Sequence, residues 1–455
     1  MGLLISTNPA RNFEVLGQVP VSPLTEIQEK ISLARNAFHS WKELGIDKRI
    51  VLLKPIFQEF QNNKEMLAKN MALEIGKPIV ECRKGVETGL KYFNDFLDNG
   101  AAYLQDETKK IEGTIHHISF EPFGVAAVIS PWNFPFGSFI WGVIPNLIAG
   151  NTVVFKHSEE CPLYGEILEK LMKKGNLPKG VFSEIYGDAT QGAQLLQGDI
   201  TLIWFTGSTR AGQAIYQIAA GKFVKVLMEL GGSNPAIVFE DADIGKAVPK
   251  LVASRFTNAG QFCDAAKRLI VHESRFDELV EKLAVSIQEI RLGDPLDEKT
   301  TMGSLVAKRQ VKLLESQVKD AIQKGAKIVT GGKKPGNLKG AYFEPTILVN
   351  IKPTMRVWKE EVFGPVLPIV SFKTETEAIR LANDTEYGLG AEIYTANPET
   401  AKRVAGQIDA GFIEINQANH WHASNPFGGF KKSGMGRELG KYGFQELCQI
   451  KLISE

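Results

Sequence analysis

Gly124-Val125-Ala126-Ala127-Val128-Ile129-Ser130-Pro131-Trp132-Asn133-Phe134-Pro135-Phe136 opens the part of this chain where a fold can be read. Five apolar residues run into a turn held by two prolines, and the pattern then recurs. Short apolar runs at 125–129, 152–155, 182–186, 202–205 and 224–228 alternate with helical stretches such as 163–174 and 211–219. Such alternation predicts a parallel sheet covered on both faces. Ligands of such sheets gather beyond the carboxyl ends of the strands, so the loops after each run are where chemistry is sought.

A second alternating region spans about 236–411, with strands at 236–239 and 268–272 and helices at 275–292 and 308–324. The first hundred residues read as helical. Ser22-Pro23 reads as a cap with a proline in the first turn, and Ile27, Ile31, Ala34, Phe38 and Trp41 then share one face. Helices are expected at about 48–75 and 79–103. The polar segment 105–122 carries a strand-like stretch at 114–120 and matches the alternating tail 447–453 in character, which points to assembly.

With 455 residues the chain exceeds one compact core, so two or three domains are expected. A formal net charge of +1 with no charge run argues against nucleic acid and for a small-molecule partner. Cys82, Cys161, Cys263 and Cys448 lie far apart, without metal-ligand spacing, which suits a reducing compartment and argues against a disulfide framework or a metal site. The apolar stretch 139–149 is broken by Pro145 and too short to span a bilayer, so no membrane association is expected. Met1-Gly2-Leu3-Leu4-Ile5-Ser6 matches a loose acylation pattern but reads better as a first strand entering the Asn8-Pro9 turn. A cytoplasmic protein is expected.

Asn258-Ala259-Gly260-Gln261-Phe262-Cys263 presents a cysteine among polar residues and a glycine. It is either a buried structural thiol or a nucleophile, and its polar flanks are poor core companions. Glu229 ends an apolar run before Gly231-Gly232, where the chain is expected to bend sharply. It is a surface charge, an ion-pair partner or a base. Asn133 offers an amide in a rigid loop, either packed among aromatics or aimed at an oxyanion. Phe205-Thr206-Gly207-Ser208-Thr209-Arg210-Ala211-Gly212 joins a strand to a helix and suits a phosphate at the helix N-terminus, although it is not the dinucleotide fingerprint. Lys156 and Glu159 follow another strand, where they either face solvent or bind ribose hydroxyls.

Together, PWNFPF (131–136), FTGSTRAG (205–212), ELGGSNP (229–235), NAGQFC (258–263), EEVFGP (360–365) and NPFGGFKKSGMGRE (425–438) resemble the aldehyde dehydrogenase superfamily, in the family's order and over nearly the whole chain. The resemblance implies an α/β fold with a Rossmann-like cofactor domain (1–104 and 123–229), an α/β catalytic domain (230–437) and a small β oligomerisation element (105–122 and 438–455). It places the nucleophile on Cys263, the general base on Glu229, and the oxyanion donors on Asn133 and the Cys263 backbone N–H. The cofactor bed falls on Ser130, Trp132, Lys156, Ser158, Glu159, Gly187, Gly207, Ser208, Leu230, Glu361 and Phe363. Glu361 would grip the nicotinamide ribose and Phe363 would place the ring.

The cofactor implied is NAD or NADP. Glu159 favours NAD, since a carboxylate accepts from a 2′-OH and repels a 2′-phosphate. His157 stands where a proline is common. The AAKR run after Cys263 resembles short bacterial succinate-semialdehyde dehydrogenases. The arginine that such enzymes carry eight residues after the oxyanion asparagine is Trp141 here, and the lysine often found next is Gly142. An indole cannot pair with a carboxylate as a guanidinium does. Phe136, Trp141, Phe262, His420, Trp421 and Phe427 are therefore expected to line an aromatic pocket, with Arg255 the first alternative carboxylate clamp. An aldehyde substrate and a homodimer or homotetramer are expected. A cysteine hydrolase would need a histidine near Cys263 and Glu229, and none lies in a motif there. A non-catalytic relative would lack one of Cys263, Glu229 and Asn133, and all three are present.

Overall fold

A computed structural model of the chain describes residues 2–455, so Met1 lies outside the described residues. The first strand, Leu3–Asn8 (β1), pairs antiparallel with Glu14–Pro20 (β2), a strand whose weak alternation gave no signal in the sequence. Asn8 turns the chain between them, its Oδ1 accepting from the N–H of Ala10 at 3.0 Å. Four helices follow: Leu24–Glu43 (α1), Ile46–Asn62 (α2), Lys64–Ile75 (α3) and Ile79–Tyr103 (α4).

Two expectations for this region need correction. Pro23 is the N-cap of α1, with no side-chain cap; Ser22 Oγ instead donates to Glu26 at 2.9 Å and accepts from the Tyr186 N–H at 3.1 Å. The helix expected at 48–75 is two. Asn63 leaves helical geometry at φ −113°, and its Nδ2 donates to the Glu59 carbonyl at 2.7 Å, competing with the backbone ladder.

Glu107–Ile111 (β3) and Thr114–Pro122 (β4) form a hairpin. Five parallel strands then come in turn, Val125–Ile129 (β5), Thr152–Lys156 (β6), Phe182–Ile185 (β7), Leu202–Thr206 (β8) and Lys225–Glu229 (β9). Between them run Pro135–Ala149 (α5), Pro162–Lys174 (α6), Ala189–Gln197 (α7) and Thr209–Lys222 (α8). Spatially the strands order β9-β8-β5-β6-β7. The chain therefore reverses direction across the sheet between β5 and β8, which opens a crevice at their carboxyl ends.

The second sheet uses Asn234–Val238 (β10), Ala266–His272 (β11), Lys327–Thr330 (β12), Thr346–Val349 (β13), Val366–Phe372 (β14), Gly390–Tyr394 (β16) and Phe412–Ile415 (β17). Its order is β12-β13-β14-β11-β10-β16-β17, parallel except for β12. Ile244–Phe256 (α9), Phe276–Gln288 (α10), Lys308–Gln323 (α11) and Glu375–Asn383 (α13) are its principal helices; Arg356–Lys359 (α12) and Pro398–Ala405 (α14) are shorter. Tyr387–Gly388 (β15) pairs with Phe430–Lys431 (β18), and Gly434–Met435 (β19) returns to the edge of β9.

Gly440–Glu446 (α15) departs from the expected division: it packs on the first domain's helices, with Phe444 against Phe96 and Tyr103. Only Cys448–Ser454 (β20) joins β4, pairing Cys448 with Pro122 through Ser454 with His116. Among the described residues no helix is long and apolar enough to cross a membrane.

The core of the first domain closes around α5, which is buried on nearly every side. Phe136, expected at the substrate pocket, belongs to this core. It is fully buried, stands edge-on to Phe60 at 5.4 Å, and lies directly over Gly89. Gly142 is equally constrained, since a Cβ there would sit 2.7 Å from Val128 Cγ1 and 2.8 Å from Trp204 Cε3. Packing of α5 on β5 and β8 therefore excludes the lysine that related chains place there. Gly142→Ala should destabilise the protein by about 1–3 kcal/mol through overpacking. Thermal unfolding checks this; an unchanged midpoint would contradict such tight packing.

Candidate active site

The segment between α9 and β11 is strained. Asn258 (φ 50°), Ala259 (φ 52°) and Gly260 (φ 70°) are consecutively left-handed, and only the glycine adopts that geometry without steric cost. A set of amide bonds holds them. The Asn258 N–H donates to the Glu81 carboxylate at 2.9 Å, and Asn258 Nδ2 donates to the Asn133 carbonyl at 3.1 Å. Asn133 Nδ2 donates back to the Gln261 carbonyl at 3.0 Å, while Gln261 Oε1 accepts from the Val306 N–H at 3.0 Å. Gly260 lies so close to Gly364 that a Cβ would stand 2.5 Å from its carbonyl oxygen. The loop after β5 and the cysteine loop thus lock each other. The Asn133 amide carries two N–H groups and spends one here, leaving one for an oxyanion.

Cys263 follows this locked turn and is half-buried, with Sγ 3.7 Å from Asp264 Oδ1. Burial first, and the Asp264 carboxylate second, push its thiol well above the ordinary range; Lys267 opposes them. Asp264 is itself raised to about 6, chiefly by burial, and its Oδ2 accepts from Trp421 Nε1 at 2.7 Å.

Glu229 ends β9 almost completely buried, and neither carboxylate oxygen has a hydrogen-bond partner. Burial, and then the neighbouring Glu438 carboxylate, raise it well above the usual carboxylate range, with Arg437 opposing. Segment 425–438 wraps it. Gly434 pairs with Glu229 across β19 and β9, the Leu230 N–H donates to the Ser433 carbonyl at 2.8 Å, and a Cβ on Gly428 would stand 2.6 Å from Glu229 Oε1. Gly231 and Gly232 do not supply the sharp bend expected of them, since neither has positive φ. They allow close approach instead: a Cβ on Gly231 would meet Glu361 Oε2 at 2.4 Å, and one on Gly232 would meet the Cys263 carbonyl at 2.6 Å.

The expected cofactor residues follow the carboxyl ends of β5 to β9 or face them. Ser130 Oγ is buried without a partner after β5. Lys156 Nζ, at the end of β6, donates to the His157 carbonyl at 3.0 Å and stands 3.7 Å from the half-exposed Glu159, beside the buried Ser158. His157 is fully buried and driven down to about 3 by burial, with its ring stacked on Tyr164, so it serves the loop as a neutral packing group. Gly187 turns the chain after β7 at φ 153°. Gly207 donates its N–H to the Glu229 carbonyl, and Ser208 caps α8 by accepting from the Ala211 N–H at 3.3 Å. Leu230 covers Gly212 in the first turn of that helix. Trp132 and Phe363 stand edge to face at 5.9 Å, and Glu361 Oε1 accepts from the Gly232 N–H at 3.1 Å. An orphaned serine hydroxyl, unspent lysine N–H groups, a helix N-terminus and an exposed carboxylate suit the phosphates and hydroxyls of a dinucleotide.

Residues 4–453 match the family model described as aldehyde dehydrogenase family. The chain belongs to that family. It is 37% identical over 450 residues to an Escherichia coli succinate-semialdehyde dehydrogenase named for NADP(+), covering 98% of this chain and 93% of the relative. A glutarate-semialdehyde dehydrogenase of Pseudomonas putida is 36% identical over 458 residues, with 98% and 93% covered. The crystal structure of an NAD-dependent aldehyde dehydrogenase from Sinorhizobium meliloti superposes with a TM-score of 0.97 at 34% identity, covering 100% of this chain and 91% of that one. The enzyme is thus an NAD(P)-dependent aldehyde dehydrogenase with the family's cofactor-binding, catalytic and small β domains.

Aromatic side chains lie beside the nucleophile of this dehydrogenase. Trp141 is half-buried between Tyr92 (ring centroids 5.4 Å apart) and Phe427 (6.0 Å), and Phe412 stacks on Phe427 at 5.4 Å. Phe262 is buried edge-on to Phe134. Trp421 reaches Asp264, whereas His420 is exposed and donates only its backbone N–H to Glu414. Arg255 cannot clamp a substrate. It is fully buried and its Nη2 donates to the Val362 and Gly364 carbonyls. Tyr92, Glu81, Asp264 and Glu438 join the site without having been singled out in the sequence. The adjacency of Asp264 to Cys263 and the place of Glu438 at the end of the 425–438 motif offered the only signals. A groove of about 860 Å³ beside Arg35, His39 and Asp199 opens at the amino ends of β5 and β8, on the wrong side of the sheet for this chemistry.

Removing the Asp264 charge should lower the thiol's proton affinity. Asp264→Asn is expected to shift the iodoacetamide alkylation profile of Cys263 to lower pH, several-fold faster near neutrality, above the carboxyl's value of about 6. Alkylation rates followed by mass against pH check this; a shift to higher pH would contradict it.

Proposed function

We propose that the chain oxidises an aldehyde with an apolar or aromatic body to its carboxylic acid, with Cys263 as nucleophile, Glu229 as base and Asn133 as oxyanion donor. The observation that carries this reading is the mutual lock of Asn133 and the loop that leads to Cys263, which fixes the amide on that loop and leaves it one N–H to spend. Cys263 adds to the carbonyl carbon as the thiolate, its proton having passed to solvent, and the negative oxygen is taken by Asn133 Nδ2 and the Cys263 N–H. A bound nicotinamide dinucleotide supplies the hydride acceptor, which leaves the acyl group on Cys263 as a thioester. Glu229 then takes a proton from water, whose oxygen attacks the acyl carbon and releases the carboxylic acid and the thiolate.

Glu229's raised proton affinity makes it a strong base once ionised, so turnover should rise with pH as Glu229 ionises, at higher pH than an ordinary carboxylate would require. The 11 cofactor residues named from the resemblance are proposed in those roles. NAD is favoured over NADP because Glu159 is exposed and only loosely paired with Lys156. The aromatic wall and the carboxylate of Asp264 beside Cys263 support an uncharged substrate. The names of the two relatives support a second reading, a semialdehyde such as succinic semialdehyde. Division at 1–104 with 123–229, 230–437, and 105–122 with 438–455 is proposed, α15 excepted. Ile450, Leu452 and Ile453 are exposed along β20, which supports dimer or tetramer assembly there. A cytoplasmic location is proposed from the cysteine usage.

With NAD and a benzaldehyde-like substrate the enzyme should form reduced nicotinamide. Cys263→Ala should lower the rate by at least about 10³-fold, the scale of losing a covalent catalyst. Glu229→Gln should accumulate a mass adduct on Cys263. Full activity in Cys263→Ala sinks the assignment, and a strong preference for succinic semialdehyde across an aldehyde panel selects the second reading.

A further inference from the structure

Lys267, in the AAKR run, stands at the start of β11 with its side chain wholly shielded from solvent. Its ammonium has three N–H groups and meets three acceptors. They are the Gly232 carbonyl at 2.8 Å, the Cys263 carbonyl at 2.7 Å and Glu361 Oε1 at 2.6 Å. Each acceptor belongs to a different working segment: the turn after the base, the nucleophile, and the loop that ends at Phe363. The same ammonium lies 5.4 Å over the Phe363 ring.

A buried lysine–carboxylate pair is a poor way to hold a fold together, because both ions lose hydration that their attraction scarcely repays. Position, rather than stability, accounts for it. Glu361 Oε1 is occupied by Lys267 and the Gly232 N–H, while Oε2 has no hydrogen-bond partner among the described residues and is left for a ligand hydroxyl. The charged groups that bear on Cys263 are Asp264, Glu229 and Glu361, all negative, and Lys267, the one that favours the thiolate.

We propose that Lys267 is a positioning residue that ties the nucleophile to the cofactor grip, holding the Cys263 carbonyl and the Glu361 carboxylate with one ammonium. The proposal rests on the reading of Glu361 as the ribose ligand for its cofactor half, and on the geometry alone for its thiol half. Whatever draws Glu361 toward a ligand changes the share of the ammonium left for Cys263, so cofactor affinity and the thiol's proton affinity are coupled, and that coupling is reciprocal.

The test uses full-length enzyme carrying Lys267→Met, Glu361→Gln and both. Without cofactor, the rate of Cys263 alkylation by iodoacetamide is read across pH. Lys267→Met should slow it about tenfold near pH 8, since the thiolate loses its nearby cation. The double mutant should depart from additivity. NAD affinity, read by calorimetry, should weaken about tenfold in both single mutants. Lys267→Arg, which keeps the charge but not the three-point geometry, should restore alkylation more than NAD affinity; Lys267→Gln replaces Met if that variant fails to fold. An alkylation profile in Lys267→Met that overlays the wild type overturns the proposal, whatever its thermal midpoint. Unchanged NAD affinity in Glu361→Gln overturns the ribose reading and with it the coupling to cofactor, while the cofactor-free alkylation arm still decides the tie to Cys263.

Discussion

The reciprocal amide bonds between Asn133 and the 258–261 turn are what the rest of the site depends on. Two non-glycine residues held left-handed cost about 1–3 kcal/mol each. That strain persists because the Asn258 amide, the Glu81 carboxylate and the Gln261 side chain are all bonded to groups fixed elsewhere. The same bonds that hold the turn set the Asn133 amide against the loop that leads to Cys263. Catalytic geometry and local strain are two aspects of one lock, which joins the loop after β5 to the entrance of β11 and so joins the two sheets.

Around that lock the site is built from buried charge. Glu229, Glu438 and Asp264 all hold protons more tightly than exposed carboxyls do, because burial penalises their ionised forms before any neighbour is counted. Segment 425–438 makes this possible by laying Gly428 and Gly434 against Glu229, where any side chain would collide. The result is a shielded carboxylate with no hydrogen-bond partner on either oxygen. Trp141, Tyr92 and Phe427 form an aromatic wall where the proposed substrate would lie.

Much of the fold was legible because β5 to β9 are short, mostly apolar and separated by helices of distinct period. The break at Asn63 was not, since an asparagine within an amphipathic pattern ends a helix only if its side chain finds a backbone carbonyl. The strand β2 was missed for want of alternation. In the site, Asn133 after β5 and Glu229 at the end of β9 stood out as candidates by position and Cys263 by its polar flanks, while their roles came from the resemblance. Phe136 was misplaced because a residue next to a functional loop can point either way along a helix, and α5 turns it into the core over Gly89.

Residue order alone determined the alternating α/β character and the loops that bear chemistry, and it offered the thiol, the carboxylate and the amide as candidates. Those follow from local periodicity and from side-chain chemistry, which any stretch of chain carries with it. Tertiary structure alone decided that Arg255 is a buried brace, that Glu81 and Tyr92 belong to the site, and that Lys267 gathers three distant segments. It also decided the proton affinities, because desolvation and neighbouring charge are set by whatever the fold brings close, and residues hundreds apart in sequence meet only once the sheets are packed.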